Sequence, residues 1–285
     1  MPLVLVASLV IALGLAMIAY PFASDYLNRR EQAKVTQDLE HVTNETPVED
    51  LSAQMERAVD YNERLVSGSA YVVDPFDPDA PKTSDEEYMS LLNLAGNGVM
   101  GSIVIPRIGV DLPIYHGVEG EGMMHAVGHV PNSSLPVGGP STHAVLAGHT
   151  GLPSAVIFDA LDKLAVGDYF VIRVLGEDHA YRVTSTEVVL PDDASSLGIR
   201  DGEDLVTLVT CTPYGVNSHR LLVHAERCDV PQDWIDRKAG GQMGEVPLFA
   251  RQAAQVPPVA VGLAFALALL LVAYGAWRLV RRMRR

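Results

Sequence analysis

Two long apolar stretches without a charged side chain stand at the two ends of the chain. Residues 1–24 form the first and residues 256–277 form the second, whereas the sequence between them is much more polar. Each is at least as long as the roughly 20 residues that a helix needs to cross a hydrocarbon core of about 30 Å. The pattern predicts a transmembrane or signal-anchor segment at 1–24 and a transmembrane helix at 256–280.

Basic and aromatic residues beside these stretches indicate an orientation. Arginines follow the second stretch in a cluster that includes the tail at 281–285, and Tyr274 and Trp277 stand where interfacial aromatic residues are expected. The positive-inside rule puts this tail in the cytoplasm and the polar part of the chain outside. The first stretch has no basic residue before it and ends on the small residues Ala23 and Ser24, so a retained anchor and a cleaved signal peptide both stay open.

The polar region after the first stretch predicts a helical extension over residues 25–98. Its apolar residues recur at helical spacing, which indicates one amphipathic helix in front of the main domain. These residues are Leu51, Met55, Ala58, Val59 and Leu65. The segment 67–85 is rich in proline, aspartate and serine and reads as a loop, because proline removes a backbone donor and restricts the residue before it.

Short strand-like runs separated by turn residues fill residues 99–229. Seven or more such runs, with one short helical interval near "PSAVIFDALDKL", predict a mainly β domain of about 130 residues that is a barrel or a sandwich. Residues 230–255 are again polar and contain glycine and proline, so we expect a tether that leads to the second apolar stretch.

Charge and cysteine content narrow the function classes. The formal net charge is −14, and without the five arginines near the C-terminus 16 basic side chains stand against 35 acidic ones. Nucleic acid is therefore not an expected partner, since its binding needs basic patches. The two cysteines, Cys211 and Cys228, could form a disulfide outside the cell, or one of them could be a free, reactive thiol.

Cys211 stands where a buried strand gives way to a turn. The strand-like run "DLVTLVT" ends on it, "TPYGVN" follows, and Arg220 opens the next run. A nearby guanidinium would favour the thiolate and could hold an oxyanion. His149 follows a strand-like run and could act as an acid or base, whereas His143 opens that run and is expected to be structural. A zinc site of both histidines with Cys211 is an alternative without a compact ligand spacing.

Taken together, these residues resemble the sortase family. The segments "TLVTC", "SHRLLV" and "AVLAGHTG" match its cysteine, arginine and histidine motifs, and the likeness to class C sortases extends over roughly residues 20–228. The resemblance implies a closed sortase-type β-barrel of about eight strands with short helices. It also implies that Cys211 is the nucleophile, His149 the general acid or base, and Arg220 the group that stabilises the oxyanion and orients substrate. No metal or other cofactor is expected.

Class C sortases also carry a lid with an Asp-Pro-aromatic motif, which Asp74, Pro75 and Phe76 match. By that resemblance Asp74 pairs with Arg220 and the Phe76 ring covers the Cys211 sulfur. The alternative is a disordered acidic linker. Cys228 departs from the single-cysteine pattern expected of the family and is interpreted as a small buried residue.

The family implies a membrane-anchored cysteine transpeptidase with its catalytic domain outside the cell. It would cleave an LPXTG-like sorting signal between Thr and Gly through a thioacyl enzyme and join the acyl group to a lysine amine of another pilin subunit. Two alternatives stay open. One is a sortase that uses the amine of a peptidoglycan precursor, and the other is a non-catalytic surface binding or scaffold protein.

Overall fold

The computed structural model describes residues 2–67, 72–77 and 85–240. The predicted C-terminal transmembrane helix at 256–280, the basic tail at 281–285 and most of the predicted tether lie outside these residues. The elements, in chain order, are α1 (Pro2–Glu45), α2 (Val48–Ser67), α3 (Glu86–Ser90), β1 (Val99–Ile105), β2 (Val110–His116), α4 (Gly120–His125), β3 (Val127–His129), β4 (Thr142–Ala147), β5 (Tyr169–Val174), β6 (Glu177–Val189), β7 (Asp204–Thr212), β8 (His219–Arg227) and α5 (Gln232–Ala239).

The eight strands form one closed barrel in the order β1-β2-β3-β4-β7-β8-β6-β5. Neighbouring strands are antiparallel except for two parallel pairs, β2 with β3 and β4 with β7. Closure pairs every strand on both sides, so the barrel has no open edge. The predicted mainly β fold with a closed eight-stranded barrel and short helices is confirmed, and the sandwich alternative is wrong.

Alternate residues of the strands fill the barrel interior. Ile103, Leu146, Phe170, Leu208 and Val223 belong to one buried cluster, each with no measurable exposure. Side chains of α2 and α3 join the same cluster, so the helical extension closes over part of the barrel rather than hanging free. Burial of each large apolar side chain contributes about 1.5–3 kcal/mol, which makes this cluster the main source of stability.

The helical extension holds two long helices where the sequence predicted one amphipathic helix. Helix α1 continues from the N-terminal apolar stretch to Glu45, and α2 begins at Val48. Pro47 separates them, because the residue before a proline is disfavoured in the helical region. The carbonyl of Pro47 instead accepts the first helical bonds of α2, from Asp50 and Leu51.

Helix α1 lies along the barrel wall from one end of the barrel to the other. Ser24 Oγ donates to the carbonyl of Ser154 at 3.0 Å, in the loop that follows β4. Near its C-terminus, Glu40 forms an ion pair with Arg173, close to the β5–β6 turn. Of the residues that the structure describes, only a helix within α1 is long and apolar enough to cross a membrane.

Two expectations for irregular segments need correction. The beginning of the predicted tether is helix α5, which docks on the barrel through the buried ring of Trp234 and its 3.0 Å hydrogen bond to Asp178 Oδ2. A single apolar anchor in a short polar helix gives too little periodicity to predict it. The helical interval expected near residues 153–164 is only a 3₁₀ turn, Leu161–Lys163.

Candidate active site

Cys211 and Arg220 are direct cross-strand partners. Cys211 is the penultimate residue of β7 and Arg220 is the second residue of β8, and the antiparallel register pairs them opposite each other. Each residue is 8% exposed, so both side chains lie in a largely water-excluded position. The turn-forming segment 213–218 connects the two strands, as its sequence predicts. The thiol and the guanidinium are therefore held together by the rigid ladder rather than by a loop.

His149 lies at the same end of the barrel, two residues beyond β4. Strands β4 and β7 are parallel, and Ala147 pairs with Val209. The pairing continues one step further, because Gly148 N donates to the carbonyl of Val209 at 3.0 Å and Thr210 Oγ1 donates to the carbonyl of Gly148 at 2.7 Å. Continuing this register places His149 level with Cys211, and its side chain is half-buried.

Gly148 is required at the position before this histidine. A Cβ atom there would lie 2.7 Å from Cδ2 of Phe158 and 2.9 Å from Ile157, and Phe158 N donates to the carbonyl of His149 at 3.1 Å. The close packing of Phe158 against the bare backbone fixes the path of the chain from β4 into His149.

The electrostatic environment favours the neutral forms of both groups. Burial raises the pKa of the Cys211 thiol, and the nearby Asp74 carboxylate raises it further, while the Arg220 guanidinium works in the opposite direction. Burial lowers the pKa of His149 below its ordinary value. Because each charged form loses hydration in this site, the thiol keeps its proton and the imidazole stays unprotonated near neutral pH.

The carboxylate of Asp74 binds the guanidinium of Arg220. Its Oδ1 accepts from Nε at 2.8 Å and its Oδ2 accepts from Nη2 at 2.6 Å, a bidentate ion pair in which both side chains are 10% exposed. The remaining nitrogen, Nη1, donates to the carbonyls of Asn217 and His219. Arg220 thus has all three nitrogens engaged, two of them by a residue 146 positions earlier in the chain.

Phe76 lies between the arginine and the histidine. Its ring centroid is 5.2 Å from Cζ of Arg220 and 5.2 Å from the centroid of the His149 ring. The backbone N–H of Phe76 donates to Asp74 Oδ1 at 3.3 Å, and Pro75 between them is buried. We call residues 72–77 the lid, because this short segment joins two of the three predicted catalytic residues and covers the space between them.

An apolar surface under the lid was missed by the sequence analysis. Val72 and Phe76 of the lid pack against one buried cluster, which we call the apolar floor. Its members are Met123, Val130, Val145, Ala147, Leu197, Val209 and Leu222. Strands β4 and β7 are buried along nearly their whole length, on the outer face as well as the inner one. Apolar residues on both faces of a barrel strand are the signal that something covers its outside.

His143 lies away from this site and is held by backbone and side-chain partners. Its Nδ1 is 2.9 Å from the carbonyl of Gly198 and its Nε2 is 2.7 Å from Thr207 Oγ1, which is also 2.8 Å from His224 Nδ1. Burial lowers the pKa of His143 to about 4. No group of three potential ligands that could hold a metal occurs within the described residues, so the zinc alternative has no support there.

The two cysteines are free thiols that lie far apart, because Cys211 is on β7 opposite Arg220 at the start of β8 and Cys228 follows the other end of β8. Cys228 follows the strand end remote from Arg220 and packs, half-buried, beside Trp234 and Val171. A disulfide between Cys211 and Cys228 is therefore excluded in this structure.

Comparisons with known proteins agree with this architecture. The family model of the sortase domain matches residues 103–228. Sortase A of Streptococcus agalactiae is 28% identical over 131 residues, 45% of this chain and 52% of that protein, and sortase D of Bacillus subtilis is 26% identical over 130 residues, 45% of this chain and 63% of that protein. The chain thus matches between half and two thirds of the length of these curated relatives.

Solved structures match over a larger share. Sortase C-1 of Actinomyces oris is 46% identical, with a TM-score of 0.59 and coverage of 63% of this chain and 99% of that one. Sortase C-1 of Streptococcus pneumoniae is 38% identical, with a TM-score of 0.64 and coverage of 70% and 100%. The chain therefore belongs to the sortase family, within the class C group to which these solved relatives belong.

Proposed function

We propose that this protein is a pilin-polymerising transpeptidase in which Cys211 is the nucleophile, His149 the general acid or base, and Arg220 the oxyanion-stabilising group. The observation that carries the proposal is the cross-strand pairing of Cys211 with Arg220, whose guanidinium is held by the lid residue Asp74. Nη1 of Arg220 is held by the carbonyls of Asn217 and His219, whereas Nε and Nη2 are held by Asp74. Departure of the lid therefore frees these two donors for a substrate oxygen.

Substrate binding requires the lid to move first. The guanidinium of Arg220 is engaged by Asp74, and Phe76 occupies the space between Arg220 and His149. Once the lid has left, the apolar floor is free to take the apolar residues of an LPXTG-like sorting signal, and Arg220 can hydrogen-bond the carbonyl of its threonine.

In the acylation step, the Cys211 thiol gives its proton to His149, and Sγ attacks the carbonyl carbon of the threonine. The electron pair of the carbonyl moves to its oxygen, which Arg220 stabilises as an oxyanion. When the oxyanion collapses, the C–N bond to glycine breaks and the glycine amine takes the proton from His149. The products are a thioester on Cys211 and a peptide with a free amine.

The second step regenerates the enzyme. A lysine amine of another pilin attacks the thioester carbonyl, and His149 takes the proton that the amine loses. The new C–N bond forms as the C–S bond breaks, and the leaving thiolate recovers its proton from His149. Because the thioester conserves the energy of the original amide, the overall reaction exchanges one amide for another.

The proposed setting is the outer face of a membrane. The helix α1 carries the apolar stretch 1–24 and supports a retained N-terminal anchor. The second apolar stretch at 256–280 and the arginine tail at 281–285 support a second span with a cytoplasmic end, based on composition and the positive-inside rule. Both anchors keep the barrel outside the cell, on the side of the membrane where exported pilin substrates are located.

Trapping the thioester tests the proposal. The full-length enzyme is incubated with an LPXTG-containing peptide without acceptor, and mass spectrometry should find the acyl group on Cys211. The control is Cys228→Ala, which removes the other cysteine and should still form the adduct, whereas Cys211→Ala should not. Acyl transfer to a pilin lysine rather than to a peptidoglycan-precursor amine would support polymerisation. Absence of any adduct with an opened lid would overturn the enzymatic function and favour a scaffold.

A further inference from the structure

The direction of α1 relates the barrel to the membrane. Ser24 contacts Ser154, and Asp25 Oδ1 accepts from Val156 N at 3.1 Å. Both contacts are in the loop that follows His149. Further along the helix, Glu40 pairs with Arg173, and a Cβ atom on Gly176 in the β5–β6 turn would lie 3.5 Å from Cγ2 of Thr43. Helix α1 therefore enters the barrel at the end that holds Cys211 and His149 and finishes at the opposite end.

The apolar part of α1 projects beyond the Cys211 end without covering the barrel. Leu13, Leu15 and Met17 are 57%, 59% and 73% exposed. At 1.5 Å per residue, Pro2–Pro21 is about 30 Å long, the thickness of a hydrocarbon core. Only about 5 Å of helix separates Pro21 from Ser24, which is within one headgroup layer of a bilayer.

Residues typical of a membrane interface occur at this level of the helix. Tyr20 and Tyr26 are 57% and 54% exposed, and Arg30 lies over the Tyr26 ring at 5.9 Å. Tyrosine and arginine are common where a span meets the headgroups. The point at which α1 should leave the bilayer therefore coincides with the point at which it docks on the active-site loops.

Exposed apolar side chains are present on neighbouring loops of the same end. Tyr214 and Val216, in the turn between β7 and β8, are 45% and 68% exposed, and Met124 of α4 is 42% exposed. A Cβ atom on Gly151 would lie 3.5 Å from the Tyr214 ring, beside the loop that α1 contacts, and Asn28 of α1 donates to the carbonyl of His125, next to Met124. These exposed apolar residues therefore lie on loops near the point where α1 docks on the barrel.

We propose that the Cys211 end of the barrel rests on the headgroup region of the bilayer, with Tyr214, Val216 and Met124 as contact residues. The partner is a phospholipid surface. Exposed apolar and aromatic side chains can insert into its headgroup region, and this contact does not require a basic patch on the protein. The inference rests on the proposed function, since it takes Pro2–Pro21 as a retained span. The opposite end, about 28 Å further along α1 at Thr43, then points away from the membrane.

Two valines of similar exposure allow a matched test. Val216 is 68% exposed at the Cys211 end, and Val48 is 75% exposed beyond the far end of α1. Each is replaced by tryptophan in a full-length Trp277→Phe background, with buried Trp234 as the shared baseline. The proteins are reconstituted in phosphatidylcholine vesicles with plain or brominated acyl chains.

We expect brominated lipid to quench Val216→Trp and to leave Val48→Trp unchanged. Equal quenching of both, quenching of Val48→Trp alone, or quenching of neither would overturn the inference, as would an intact mass showing that the N-terminus is cleaved before Ser24. Thioester trapping on the same samples separates the two proposals. If the thioester forms but Val216→Trp is not quenched, only the proposed membrane contact is refuted. If Val216→Trp is quenched but no thioester forms, only the proposed enzymatic function is refuted.

Discussion

Replacing Asp74 by asparagine is expected to accelerate the reaction of Cys211 with a thiol reagent. The carboxylate makes two hydrogen bonds to Arg220, at 2.8 and 2.6 Å. Asparagine has nearly the same size but no charge, and its amide would present one N–H group to a guanidinium that has only donors. The substitution thus destabilises the closed state of the lid. It changes the free energy of the open state little, because both side chains are hydrated there.

The magnitude follows from the burial of this pair. A hydrogen bond to a charged group contributes about 1.5–3 kcal/mol, and leaving a buried charge unpaired costs about 3–5 kcal/mol. Because both side chains retain 10% exposure, we expect loss of this ion pair to destabilise the closed lid by about 2–3 kcal/mol. If Cys211 reacts only when the lid is open, the labelling rate rises about 30- to 150-fold, up to the limit set by a fully open lid.

The assay must separate exposure from ionisation. The Asp74 carboxylate raises the pKa of Cys211, so its removal also increases the thiolate fraction at neutral pH. Labelling rates are therefore measured from neutral pH to well above the thiol pKa. A lower pKa moves the midpoint of the profile to lower pH, whereas lid opening raises the plateau, where every thiol is ionised.

Two variants complete the design. Asp77→Asn removes a second carboxylate whose charge also acts on Arg220 but keeps the two hydrogen bonds from Asp74, so its plateau should rise much less than that of Asp74→Asn. Phe76→Ala removes the ring between Arg220 and His149 and should raise the plateau. An Asp74→Asn plateau equal to that of the wild type, with only a shifted midpoint, would refute the idea that this ion pair closes the lid.

Three further substitutions test other parts of the site and its support. Arg220→Lys keeps the charge but not the fork of donors, so transpeptidation should fall about 100-fold while thiol labelling rises. Gly148→Ala places a methyl group 2.7 Å from the Phe158 ring and should lower the free energy of unfolding by about 1–3 kcal/mol in urea titrations. Thr207→Val removes the hydroxyl between two histidines and should also cost about 1–3 kcal/mol. Wild-type turnover in the first, or wild-type unfolding midpoints in the others, would contradict these arguments.

Local patterns predicted a mainly β domain, barrel or sandwich, and part of its site. Alternating apolar runs and turn residues indicated the strands, and the short turn after Cys211 was enough to put Arg220 on the neighbouring strand. The nearness of His149 to Cys211 could not be obtained in this way. It depends on the parallel pairing of β4 with β7, whose sequences are separated by more than 50 residues. Only the resemblance to the sortase family indicated that His149 lies near Cys211.

The helices outside the barrel show where periodicity is insufficient. The amphipathic pattern of α2 was visible, but the interruption at Pro47 and the extension of α1 along the barrel were not predicted. Helix α5 is held by Trp234, by its bond to Asp178 and by Lys238, which also contacts Asp178 at 2.7 Å. Such docking depends on residues of another element, and a sequence window contains no information about them.

Asp74 links three properties of the closed site, so lid opening changes them together. It occupies the guanidinium of Arg220, its charge raises the pKa of Cys211, and its turn holds Phe76 beside His149. In the proposed mechanism, departure of the lid frees Arg220 to stabilise an oxyanion, removes an anion from the thiol and admits water, and the last two changes lower the pKa of Cys211. Under the proposed roles, Cys211 is inactive while the lid is closed, because its exposure, its ionisation and the release of Arg220 all depend on the carboxylate of Asp74. In the proposed mechanism, loss of the Asp74–Arg220 ion pair therefore precedes substrate binding and opens the whole site in one step.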